Sequence, residues 1–338
     1  MIGEVVGSYR VVAKVGEGTT SVVYLAEHAL MGRRAAVKVF SSSSGSEPFL
    51  ARAQKAATLT HPGLVEVFDL GDHKGKAYLV MEFLDGESLA TRIGKRGNLP
   101  FAQALGIARQ LTAALAVVHD ADIVHGNLTP DHVVLVPDAV VTGGERAKLL
   151  DTGLTHSTPD SPEIKKAAAY MAPEQLAEGL AIDHRADLYA LGCILFEMLC
   201  GRPPFVADKE RGSVTSQQIH DEPPPLRQFE PSLRRDVESL VRRLLAKRPD
   251  DRPPSAIEVS AIIDKSLDGH ATARMSTHGM SESAPVSVSF DSKPAPVRAP
   301  IEAEEASSRP ERSRVLTIGL AALIGTIVLA AVLVVATC

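Results

Sequence analysis

The chain has 338 residues, with 36 lysines and arginines against 41 aspartates and glutamates, a net charge of −5. Its 45% of hydrophobic residues supply a core and exclude disorder throughout, while the mildly acidic balance excludes a nucleic-acid partner held by bulk electrostatics. Three cysteines, none spaced Cys-x-x-Cys, make neither a disulfide framework nor a thiolate metal site, and they suit a reducing compartment.

The N-terminus, MIGEVVGSYRVVAK, lacks the long apolar run of a secretory signal. Tyr9 to Val15 predicts a strand, Gly16-Glu17-Gly18-Thr19-Thr20-Ser21 a turn, and Ala35 to Phe40 (AAVKVF) a second strand signal. Glycines at 16 and 18 let backbone amides approach a phosphate chain with no Cβ in the way. Alone, Gly-x-Gly marks only a turn. Lys38 lies inside the apolar strand, which is costly unless its ammonium meets an anion. Phosphate oxygens are one such anion.

Further signals follow in order. PFLARAQKAATLTHP (residues 48–62) reads as a helix, and YLVMEFLDGESL (78–89) opens as a strand. HGNLTPDH (125–132), Asp151-Thr152-Gly153, Ala172-Pro173-Glu174, the helical run DHRADLYALG (183–192) and Asp251-Arg252-Pro253 complete the series. In these residues, and in their order, the chain resembles the bacterial, eukaryotic-like serine/threonine protein kinases. A dinucleotide-binding arrangement is excluded, because the glycines lie between two strands and not at a helix start.

The resemblance implies an α+β, two-lobed protein-kinase-like fold over residues 1–264. A β-rich N-lobe (about 1–84) would sit on a helical C-lobe (about 85–264), with ATP and magnesium in the cleft. It implies that Val15, Val23 and Ala36 roof the adenine and that Val134 floors it. Backbone groups of Glu82 and Leu84 would hydrogen-bond the base, Gly16, Gly18 and Lys38 would meet the phosphates, and Asp151 would hold magnesium. Each apolar member of that set would also be an ordinary buried strand residue in any fold.

The catalytic positions depart from the family's pattern. Where the family has the aspartate that accepts a proton, this chain has Asn127, whose amide can orient a hydroxyl but cannot hold its proton. Loss of a general base costs ~10²–10⁴-fold. Thr129 stands for the lysine that steadies the transferring phosphoryl group, removing a positive charge. His132 stands for the asparagine that binds a second magnesium ion, and imidazole nitrogen is a poor donor to that hard ion. Zinc held by His132 and Asp151 would lack further ligands. Thr152 replaces an aromatic residue, Ala167 a threonine, and Gly126 an arginine. The glutamate that should partner Lys38 falls on Arg52. Like charges ~4 Å apart repel by ~4 kcal/mol at an effective dielectric of ~20, so Arg52 is expected to turn away, the helix to swing out, or a phosphate to lie between. Around these changes the scaffold positions persist: Glu174 with Arg252, Asp187, His125, and the apolar loop residues Leu128, Pro130 and Val133.

Residues 265–314 are rich in Pro, Ala, Ser and Glu, lack a period, and predict a disordered juxtamembrane linker spanning ~40 Å. Residues 315–338, VLTIGLAALIGTIVLAAVLVVATC, carry no charge. At ~1.5 Å per residue they reach ~36 Å as a helix, enough to cross a ~30 Å hydrocarbon core. Arg309, Arg312 and Arg314 precede them, so a single C-terminal membrane anchor with the kinase-like part in the cytoplasm is expected. Ala321 and Gly325, four apart, would let two such helices approach as a homodimer, although chance explains the pattern equally well in so alanine-rich a run. The sequence therefore predicts a membrane-anchored, nucleotide-binding pseudokinase whose protein partner is an active kinase or its substrate. The alternative is an active, atypical serine/threonine kinase.

Overall fold

Alternation along the strands builds the N-terminal layer. The computed structural model describes residues 1–18, 20–41, 46–153, 166–177 and 179–278. Strands β1 (Val5–Val6), β2 (Tyr9–Glu17), β3 (Ser21–His28), β4 (Arg34–Phe40), β5 (Val67–His73) and β6 (Lys76–Glu82) form one antiparallel sheet in the order β1-β2-β3-β4-β6-β5. With a side-chain period of two, Ala35, Val37, Val39, Tyr78 and Val80 fall into one apolar cluster. Ala36, Phe40, Ala77, Leu79 and Met81 fall into the other, on the opposite face. Lys38 lies between Ala36 and Phe40 on that second face, so the strand's own periodicity aims it. Helix α1 (Ser46–Ala57) connects β4 to β5 and buries Ala53.

The second lobe is helical. A small sheet of β7 (Glu87–Ser88), β8 (Val133–Pro137) and β9 (Glu145–Leu149) runs in the order β7-β8-β9. Helix α2 (Leu89–Arg96) starts at Ser88, whose hydroxyl accepts from the Thr91 amide at 3.1 Å, a side-chain N-cap. Helix α3 (Phe101–Asp120) buries Leu105, Ala108, Leu111, Leu115 and Val118, a stripe at helical spacing. Among the described residues it is the one helix long and apolar enough to cross a membrane, but half of its apolar stretch is buried inside the domain, as in a core helix. The expected span at 315–338 lies outside the described residues.

The remaining elements are α4 (Pro173–Leu176), α5 (Arg185–Cys200), α6 (Val214–His220), α7 (Arg235–Leu244) and α8 (Ala256–His278). Helix α5 is buried along nearly its whole length, between α3 and α7. At Gly192 an added Cβ would stand 2.7 Å from Leu244 Cβ, so glycine lets α5 and α7 close on each other. Helix α8 runs past residue 264, where the composition places the start of a disordered linker. Ser266 is buried and its hydroxyl donates to the Ile262 carbonyl at 3.0 Å. Arg234 lies across Gly269 so closely that a Cβ there would come within 2.8 Å of its guanidinium. Helix α8 packs against α3 and α7. The rest of the linker lies outside the described residues.

Candidate functional site

The short segment before Asp151 is tied to both lobes. The Leu149 amide donates to the Gly63 carbonyl at 2.8 Å, and the Val65 amide donates back to the Leu149 carbonyl at 3.0 Å. The Leu150 amide donates to the His132 carbonyl, and His125 Nε2 donates to the Leu150 carbonyl at 2.8 Å. Asp151 itself has φ +59°, left-handed and uncommon for a non-glycine residue. Strain of this kind persists where neighbours over-determine it, and it clusters at functional sites.

The loop carrying Asn127 is held from below. Asp187, nearly fully buried at the start of α5, accepts from the amides of His125 and Gly126, each at 2.8 Å, and meets His119 Nε2 at 2.9 Å. Burial lowers the pKa of His125, and its Nδ1 accepts from the Asn127 amide at 3.3 Å, which fits a neutral ring. A second tie comes from Gln175, whose side chain donates to the Gly126 carbonyl at 2.8 Å and accepts from the Ala172 amide at 3.0 Å. It joins the activation-segment end to the loop, which Ala167 cannot do by a side-chain hydrogen bond.

These ties build a cavity of about 390 Å³ lined by Gly18, Lys38, Asn127, Thr129, His132 and Asp151, together with Asp131 and Lys166. Lys38 Nζ lies 2.5 Å from Asp151 Oδ2. His132 Nε2 lies 3.5 Å from the same oxygen, while its Nδ1 donates to the Asn127 carbonyl at 2.7 Å. Burial pushes the Asp151 carboxyl up, but the Lys38 ammonium and the His132 ring outweigh it and hold the pKa at about 2. Arg52 is exposed on α1, and the helix turns Ala53 inward instead. The misplaced cation thus lies in solvent.

The expected base-binding residues are only partly assembled. Val23 packs on the cluster that contains Ala36 and Met81. Val15 is 56% exposed, and Val134 is half-buried on β8 in the other lobe. Glu82 ends β6 with its amide donating to Glu66 and its carboxylate bound to Lys148 Nζ at 2.5 Å. Leu84 follows it, half-buried. Gly16 pairs with Val23 across the hairpin, lacks a positive φ, and a Cβ there would meet nothing within 4 Å. The fold does not demand glycine at 16, so the open space above it is available to an approaching ligand. The cleft therefore fits a phosphate chain.

The donors do not fit magnesium as well. Asp151 is the one carboxylate of the expected pair of ligands, and its companion is an imidazole. Among the described residues no three His, Cys, Asp or Glu side chains converge on a metal position. Sequence reasoning missed Lys166, which reaches the same cavity from the activation segment and pairs with Asp131 at 2.6 Å. It missed Gln175 too.

Comparison with known proteins agrees with this architecture. The profile described as protein kinase domain matches residues 9–262. The chain is 37% identical over 262 residues to the DNA damage-responsive serine/threonine-protein kinase RqkA of Deinococcus radiodurans, covering 74% of this chain and 38% of that protein. It is 33% identical to the serine/threonine-protein kinase PknB of Mycobacterium leprae, covering 73% and 41%, and 32% identical to the serine/threonine-protein kinase PrkC of Bacillus subtilis, covering 78% and 41%. The chain thus spans about two-fifths of the length of these relatives.

Proposed function

The chain belongs to the eukaryotic-like serine/threonine protein kinases of bacteria, and from that premise we propose that it is a nucleotide-binding pseudokinase acting as a membrane-held signalling scaffold. One observation carries the reading. Lys38 and Asp151 still meet in a phosphate-sized cleft, while the groups beside them are an amide at 127, a hydroxyl at 129 and an imidazole at 132. Binding needs the first pair; phosphoryl transfer needs the others. In this reading the C-lobe presents a surface to a protein partner, an active kinase or its substrate, and bound ATP stabilises the fold. The 338-residue chain should melt higher by about 5 °C or more at ATP ~100-fold above Kd, because ligand bound only to the folded form contributes ~2.7 kcal/mol. Lys38→Met should remove the shift. No shift at saturating ATP would make Lys38 and Gly18 relics of ancestry.

Residues 315–338 support a membrane anchor by their uncharged length and the arginines before them. The full chain should float with lipid vesicles, and a chain ending at residue 314 should not. Equal behaviour of the two would remove the anchor.

A second reading, an active atypical kinase, draws support from the relatives, whose names all describe serine/threonine-protein kinases. It also draws support from the Asp131–Lys166 pair, a carboxylate and an ammonium lining the cavity that holds Asn127 and Thr129. There Asn127 would orient the acceptor hydroxyl, Asp131 would take its proton, and Lys166 would face the transferring phosphoryl group. Transfer that disappears in Asp131→Asn would establish this reading over the first.

A further inference from the structure

We propose that the cleft takes a nucleoside di- or triphosphate without a divalent metal ion, an inference that rests on the nucleotide-binding reading above. The company Asp151 keeps is the reason. Its Oδ2 lies 2.5 Å from Lys38 Nζ and 3.5 Å from His132 Nε2. A magnesium ion would need that carboxylate at ~2.0–2.1 Å and several more oxygens around it. Ammonium and imidazole already crowd the oxygen. His132 is not free to swing aside, because its Nδ1 is bonded to the Asn127 carbonyl at 2.7 Å. Among the described residues no three His, Cys, Asp or Glu side chains converge on a metal position, and an imidazole stands beside Asp151 where the family has an amide oxygen.

The charge that a metal would neutralise is also smaller here. The family's pattern brings two more carboxylates to this cleft, and both are gone. Position 52 is an exposed arginine and position 127 an amide. Lys166 adds a second ammonium to the cavity wall, paired with the Asp131 carboxylate at 2.6 Å. A polyphosphate entering past Gly18 meets two ammonium–carboxylate pairs, Lys38–Asp151 and Lys166–Asp131, without the further carboxylates the family's pattern places at 52 and 127. The internal cations thus take the place of the ion in screening Asp151 from the phosphates.

Calorimetric titration of the full chain with ATP, in excess EDTA and in excess magnesium chloride, tests this directly. The expected result is two dissociation constants agreeing within about threefold. Replacing His132 with asparagine should return metal dependence, with ATP bound about tenfold tighter in magnesium than in EDTA. Wild-type protein that binds ATP in magnesium and loses about tenfold or more in EDTA overturns the inference and leaves the nucleotide-binding reading standing. Absence of binding heat in both buffers overturns both.

Discussion

Glu174→Gln or Arg252→Met will lower the melting midpoint of the domain by roughly 10 °C, the largest stability effect expected of any single substitution outside the apolar core. The two side chains are 3% and 0% exposed and meet in a fork, at 2.5 Å and 2.8 Å. The guanidinium spends its remaining protons on carbonyls: Ala246 at 2.9 Å, Arg185 at 3.1 Å and Lys247 at 3.1 Å. It also lies 4.9 Å from the Tyr189 ring centroid. Removing one partner leaves the other buried and charged, which costs ~3–5 kcal/mol, where an exposed pair would cost ~0–1. At ~2–4 °C per kcal/mol for a domain of this size, the loss is easily read by circular dichroism. The double substitution Glu174→Leu with Arg252→Met should recover part of the loss, since no unpaired charge remains. A single variant melting within about 2 °C of wild type would show that the pair is not what clamps α4 to the C-lobe.

Restoring one catalytic group will not restore transfer. Asn127→Asp returns a proton acceptor, worth ~10²–10⁴-fold by itself in a complete site. Here that carboxylate would face Thr129 without the lysine's charge, and an Asp151 engaged by Lys38 and His132. Groups that act as a unit are far from additive, so the single reversion should leave labelling at background. Asn127→Asp, Thr129→Lys and His132→Asn together should raise transfer from ATP by about 10³-fold or more over wild type, read as radiolabel on a basic acceptor protein. Activity regained in full by Asn127→Asp alone would mean that the substitutions at 129 and 132 are neutral and that the three positions do not act as a unit.

Much of this was legible in the chain because the informative residues act locally or at fixed spacing. The alternation of 35, 37 and 39 against 36, 38 and 40 is a strand property, and it places Lys38 on the cleft face without knowledge of any contact. Asp187, Glu174 and Arg252 make the contacts their positions imply. Arg52 faces solvent, because like charge next to Lys38 is unfavourable. What escaped depends on tertiary course. Lys38 and Asp151 are 113 residues apart, and nothing nearby announces that they touch at 2.5 Å. Lys166 lies in a stretch without a period, so its reach into the cavity follows from how that stretch is routed. Gln175 had a readable sign: it is the third helical residue after Ala172, the position from which Glu or Gln caps a helix start. The continuation of α8 past residue 264 was hidden because that stretch of sequence carries no apolar period, and the contact of Arg234 with Gly269 follows only from the fold.

The proposed reading, a cleft that binds nucleotide without pushing phosphate onto an alcohol, has a direct signature. The purified 338-residue chain, incubated with γ-³²P-ATP, magnesium and an acceptor protein beside the Asp151→Asn variant, should give equal, background labelling in the two. Labelling by wild type at ~1–100 per second, typical of working kinases, and its disappearance in Asp151→Asn would show instead that the machinery is intact.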